Sequence, residues 1–190
     1  METNRRTFLQ QLSLTFGSIL LYPACTRELS YGRFFNETEA LTIIAFSEQI
    51  IPADEFPGAT DAGVVNFIDK QLTGPYIKHQ ETYRDGIAAL NQSSYNLLNK
   101  PFYELSRNEQ LDFMEKMEAG LLRENEWKEI NQRTFFNLLL DHSMQGFYGS
   151  PRHGGNKNYV SYRMMRLDYP HVLGQNRYSS KCNDVKLPTL

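Results

Sequence analysis

A chain of 190 residues is long enough for one domain with a sizeable core, and an apolar fraction of 41%, with 12 Phe and 11 Tyr, supplies the burial that offsets the ordering entropy of folding. The formal charge of −2 gives no electrostatic support to nucleic-acid binding. The two cysteines, Cys25 and Cys182, stand in no C-x-x-C arrangement, which leaves this chain without a cysteine-held cluster or a c-type haem site.

The first predicted element is a signal. Asn4-Arg5-Arg6-Thr7-Phe8-Leu9 leads into a moderately apolar stretch that runs to Ala24 and is interrupted by Gln11, Ser13, Thr15, Gly17 and Ser18. Arg5 and Arg6 followed by Phe8 and Leu9 resemble the twin-arginine export motif, and the weak hydrophobicity suits that route better than general secretion. The competing reading is an amphipathic first helix that happens to carry two arginines. Because the twin-arginine route carries proteins already folded, with cofactor or partner in place, a chain bearing this signal but no cofactor motif is expected to escort a partner through the translocase. Leu21-Tyr22-Pro23-Ala24-Cys25 resembles a lipoprotein cleavage box, with Tyr22 where leucine is usual and Pro23 where a small residue is usual. Lipidation of Cys25 would anchor the protein to a membrane; a plain cysteine pairing with Cys182 in an oxidising compartment is the alternative. Residues 1–25 are therefore expected to be the signal and 26–190 the working domain, exported to the periplasm and membrane-associated. Outside residues 8–24 no stretch approaches the eighteen apolar residues of a spanning helix.

The working domain reads as helical. Asn36 with Glu39 has capping-box spacing, and Leu41, Ile44, Ala45 and Ile51 share one helical face before Pro52 ends the run; Ile43, Phe46 and Ile50 make this helix apolar on most sides, which predicts a central place in the core. Pro52, Pro57 and Gly58 mark an irregular connection. Val64, Val65, Phe67, Ile68 and Leu72 predict a short second helix closed near Gly74-Pro75, and Tyr83, Ile87 and Leu90, with Leu97 and Leu98 beyond, predict a third over about 79–98. Ser106 with Glu109 is a second capping box, opening a helix that carries Leu111, Met114, Met117 and Leu121. The last helix is expected from about Glu126 to Met144. From about residue 146, where four glycines and Pro151 fall within eleven residues, the chain is expected to leave the helix and continue as an irregular glycine- and aromatic-rich tail, over its own bundle or over a partner. With no alternating strand pattern and no repeat, the class is all-α: a single compact bundle of about five helices.

Chemistry-bearing motifs are absent. The glycine-rich segment has neither G-x-G-x-x-G nor G-x-x-x-x-G-K spacing and follows a helix, so it reads as a turn rather than a phosphate loop. His79, His142, His153 and His171 match no zinc spacing, Asp141-His142 being the one adjacent donor pair on a helix. Asp54, Glu55 and Asp141 have no feature that separates a catalytic carboxylate from a solvated one, and Ser47, Ser143 and Ser150 lack a nucleophile-elbow setting.

Several segments then line up in order: Ile50-Ile51-Pro52-Ala53-Asp54, Pro57-Gly58-Ala59, Ala62-Gly63-Val64, Phe67-Ile68-Asp69, Tyr83-Arg84-Asp85-Gly86-Ile87, Gly146 to Pro151, and Gly154-Gly155-Asn156. Together with the twin-arginine start they resemble the gluconate 2-dehydrogenase subunit 3 family over about residues 36–156. The resemblance implies a small subunit without catalytic residues, cofactor or metal of its own. It would be bound to a large FAD-bearing subunit of the glucose-methanol-choline type, with electrons passing on to the haem of a cytochrome c subunit. It also implies that the small subunit assists maturation and export of its partner. Ser161-Tyr162-Arg163-Met164-Met165 stands where the family has a glycine-tryptophan element. Phe147, Tyr148, Pro151, Gly154, Gly155 and Asn156 are the expected partner interface, because aromatic side chains beside a rigid turn suit an interface core. The alternative function is a stand-alone exported lipoprotein that binds a ligand or an envelope component.

Overall fold

The computed structural model describes residues 32–167. The export-signal residues Arg5, Arg6, Phe8 and Leu9, the lipidation candidate Cys25, its alternative partner Cys182, His171 and the tail from residue 168 lie outside the described residues. The described residues hold six α-helices and no strand, and no helix among them is long and apolar enough to cross a membrane.

Helix α1 (Glu37–Ile50) begins on the expected capping box: the Asn36 side chain accepts from the Glu39 N–H and the Glu39 carboxylate accepts from the Asn36 N–H, both at 2.9 Å. Its apolar residues do lie on several sides, because it packs against α2 (Val64–Leu72), α3 (Gln80–Leu98), α4 (Arg107–Glu118) and α5 (Gln132–Tyr148) alike. Ala40, Ile43 and Phe46 are fully buried, with Phe46 meeting Phe102 and Phe136 edge-on or tilted at 6.0 and 5.7 Å. Ser106 and Glu109 form the second capping box at the start of α4. Helix α3 ends where Asn99 takes a left-handed conformation, φ 57°, which the asparagine side chain tolerates.

Several expectations are corrected. The last long helix starts at Gln132, not near Glu126: the Asn131 side chain accepts from the N–H groups of Arg133 and Thr134 and so caps it there, while Glu124–Glu126 form a separate 3₁₀ turn. Trp127, expected within that helix, is instead buried ahead of it, its indole N–H donating to Ser93 Oγ at 2.9 Å. The same helix continues through Gly146 to Tyr148, so the chain does not leave it after Met144. Gly146 serves helix packing rather than a turn, since a Cβ there would sit 3.1 Å from Phe67 Cδ1 on the facing α2. Leu111 is exposed within α4, whose buried residues are Gln110, Phe113, Met114 and Met117; Leu121 is exposed beyond the end of that helix at Glu118, and Leu97 and Leu98 in the last turn of α3.

The chain beyond α5 is not an extended tail as far as Leu167. It forms 3₁₀ turns at Pro151–His153 and Lys157–Tyr159 and a sixth helix, α6 (Val160–Met164), which packs back on α5 with Val160 buried.

Candidate functional site

Two constructions stand out, both resting on the C-terminal half of α5. The first is the glycine-rich segment, which is a clasp that ties α5 and α6 to α2. Gly155 lies so close to the backbone of Gly146 that a Cβ would collide with its carbonyl oxygen, and Gly154 takes φ 107°, a conformation open to glycine. Asn156 is fully buried: its amide donates to the Gly149 carbonyl at 2.8 Å and accepts from the Ser161 N–H at 3.0 Å, which holds both ends of the loop. The Lys157 N–H donates to the Ala62 carbonyl at 2.9 Å. From α2, Lys70 Nζ donates to the Arg152 carbonyl at 2.9 Å and Gln71 Nε2 to the His153 carbonyl at 3.1 Å.

This geometry divides the expected interface residues. Phe147 is 1% exposed and edge-on to Tyr148 at 4.9 Å, so its ring fills the core. Gly155 and Asn156 are also inside. Tyr148, Pro151 and Gly154 are half-buried and line the accessible rim of the clasp. A partner that docks here meets those three and the side chains around them, not the Phe147 ring.

The second construction is a stack of rings that sequence spacing did not reveal. His142 lies 4% exposed between Tyr76 and Tyr83, parallel to both, with centroids 4.3 and 5.9 Å away, and His79 meets it edge-on at 5.5 Å. Tyr83 Oη and His142 Nδ1 are 2.8 Å apart. Burial, reinforced by the repulsion of His79 and opposed by Asp141, lowers the His142 pKa from 6.5 to about 4. The imidazole is therefore neutral at pH 7, and the Tyr83 phenol, itself held well above its ordinary pKa by burial, is the donor to Nδ1. Asp141 and His142 do not act as a donor pair: Asp141 is exposed, whereas His142 points inward. Tyr76 extends the stack to the surface, where its hydroxyl donates to Gln145. Nothing in sequence announced this stack, because Tyr76, Tyr83 and His142 come from three separate elements.

The remaining motif residues also serve the fold. Glu48 of α1 accepts from the N–H groups of Ala53 and Thr60 and from the Thr60 hydroxyl, which folds the proline-rich connection over the end of α1. Buried Asp69 accepts from the N–H groups of Arg33, Phe34 and Phe35. Asp54 accepts from the Phe56 N–H and is otherwise exposed, as is Glu55. Ser47 and Ser143 face each other across α1 and α5, buried and hydrogen-bonded to one another at 3.0 Å. At the other end of α5, on the order of 24 Å from the clasp by helix length, an open cleft of about 510 Å³ lies beside Trp127, Arg133 and Gly120.

Among the described residues no three His, Cys, Asp or Glu side chains gather where they could share a metal ion. Among the described residues there is no strand, and so none of the strand-to-helix turn on which a doubly wound dinucleotide fold seats its pyrophosphate. The geometry is that of a protein whose distinctive residues organise its own backbone and present a shaped surface.

No curated protein and no solved structure matches this chain. Residues 37–168, which reach from the first residue of α1 through the clasp and α6, match the sequence profile of gluconate 2-dehydrogenase subunit 3. The chain belongs to the gluconate 2-dehydrogenase subunit 3 family.

Proposed function

We propose that this protein is the non-catalytic small subunit of a membrane-associated dehydrogenase, and that it supports the folding and export of a large FAD-bearing subunit whose electrons leave through a cytochrome c haem. The observation that carries the reading is family membership across 37–168, in a chain whose motif residues hydrogen-bond to its own backbone at Glu48, Asp69 and Asn156. The arginines of the leader give the reading its direction. Arg5 and Arg6, with Phe8 and Leu9, address the twin-arginine translocase, and a subunit without a cofactor has reason to use that route when it travels with a folded flavoprotein. Cys25, lipidated at the end of the leader, would hold the assembly at the membrane.

Purification from the native host tests the assembly: a yellow complex of at least two chains is expected, and a colourless, fully stable monomer would overturn the reading in favour of a stand-alone lipoprotein. Deleting residues 1–24 tests the escort role. Loss of the large subunit from the periplasm is expected, and its undiminished export would refute that role. Mass measurement of the mature N-terminus decides the lipid, which adds two or more acyl chains to Cys25.

A further inference from the structure

The stretch that forms the clasp carries one sign of charge. From His142 to Leu167 there is no Asp or Glu, while Arg152, His153, Lys157, Arg163 and Arg166 all fall in that stretch. The fold adds Lys70 from α2, whose Nζ binds the Arg152 carbonyl and whose side chain runs beside Gly154. Lys157 packs beside Gly63 at the start of α2, and the turn that carries Arg152 and His153 touches both α2 and the turn that carries Lys157. The crowding is felt: burial first, then the charges of Arg152 and Lys70, lower the His153 pKa. The described residues form two ion pairs, Arg84 with Glu39 and Lys116 with Asp112, and neither involves this cluster. Hydrogen bonds from Lys70 and Gln71 to consecutive carbonyls lock the turn, so these like charges are held close to one another.

We propose that this basic face, centred on Arg152, His153, Lys157 and Lys70 and rimmed by Tyr148 and Pro151, is the docking surface for an acidic patch on the large dehydrogenase subunit. The proposal rests on the accessory-subunit reading and assigns its chemistry: the partner must bring carboxylates. A protein surface is favoured over a lipid one by the architecture. The short helix α6 turns Val160 and Ser161 inward, so it has no continuous apolar face to insert into a bilayer, whereas Arg152, fixed on a rigid turn next to the end of α5 that carries Tyr148, gives the face the arginine and tyrosine of a protein interface. Clustered like charge on one partner also speeds encounter with an oppositely charged one.

The test uses the complex purified through a tagged large subunit. Arg152→Glu with Lys157→Glu, both exposed, should weaken retention about tenfold or more, and raising salt from 50 to 300 mM should weaken wild-type retention steeply. Glu115→Lys with Glu118→Lys, on exposed positions of α4, is the control and should leave retention unchanged. Retention of the Arg152/Lys157 double reversal at the wild-type level, or equal loss in the control, overturns the proposal while leaving the accessory-subunit reading intact. Failure of wild-type chain to associate with any flavoprotein brings down that reading and the proposal with it. Vesicles with 30% phosphatidylglycerol provide the other arm: charge-dependent vesicle binding with undiminished partner retention assigns the face to lipid and also overturns the proposal. Should the double reversal fail to fold, Arg152→Gln with Lys157→Gln should still reduce retention, by a smaller factor, and no reduction counts against the proposal.

Discussion

Tyr83 and His142, 59 positions apart in sequence, meet in the interior at 2.8 Å between Oη and Nδ1, with their rings nearly parallel at 10°. The pair joins α3 to α5 and depends on a neutral imidazole, since a protonated one would carry its charge into a site that excludes water.

That dependence sets a pH profile. His142 has its pKa lowered to about 4 in the fold, against 6.5 when exposed. The unfolded chain therefore takes up the proton first, and the stability that neutral His142 supports is fully present above pH 6.5 and lost as pH falls from 6.5 toward 4. The loss is on the order of 3 kcal/mol. Urea unfolding at intervals from pH 8 to pH 4 measures it, and His142→Gln, which cannot titrate, should flatten the fall between pH 6.5 and 4. Equal slopes in the two proteins would refute the assignment.

Gly155→Ala forces a methyl group against the Gly146 carbonyl, a backbone atom that cannot swing aside. A destabilisation of about 3 kcal/mol or more is expected. Gly32→Ala is the comparison, because nothing lies within 4 Å of its added carbon, and its thermal midpoint should stay near that of the wild type.

Asp69→Asn leaves a single acceptor oxygen for three N–H donors, those of Arg33, Phe34 and Phe35 at 3.2, 3.0 and 2.9 Å. About 1–3 kcal/mol should be lost. Hydrogen exchange locates the effect: the amides of Phe34 and Phe35 should lose protection ahead of those in α1, and uniform loss across the helices would argue against a local tether.

Phe147→Ala distinguishes core from interface. With the ring 1% exposed, truncation should cost about 3–5 kcal/mol of stability, whereas Tyr148→Ala, at a half-buried position, should cost less and act mainly on partner retention. Calorimetry of the isolated chain separates them, and a Phe147→Ala chain as stable as wild type would place that ring outside the core.

Much of the helical layout was legible in sequence for local reasons. Asn36 with Glu39 and Ser106 with Glu109 announce helix starts because the cap and its partner lie three residues apart, and Pro52 ends a helix through its own ring and missing N–H. The α5 boundaries were not legible in that way. Asn131 has Thr134 rather than Glu or Gln three residues on and so lacks the capping-box pattern, and Gly146 has its reason for being glycine, the Phe67 ring on α2, 79 positions away in the chain. The burial of Phe147 is hidden for the same reason, since aromatic character is written in sequence and exposure is not.

By itself, then, the sequence determined the all-α class, the capping boxes, the family to which residues 37–168 belong, and the run from 142 to 167 without a carboxylate. Each of these depends on neighbours along the chain or on their order. Only the tertiary structure decided that the glycine-rich segment is a clasp, that Lys70 joins the cations of that run, and that His142 is buried neutral against Tyr83. Those relations depend on distances of a few ångströms between residues tens of positions apart, which chain packing sets and local propensity does not.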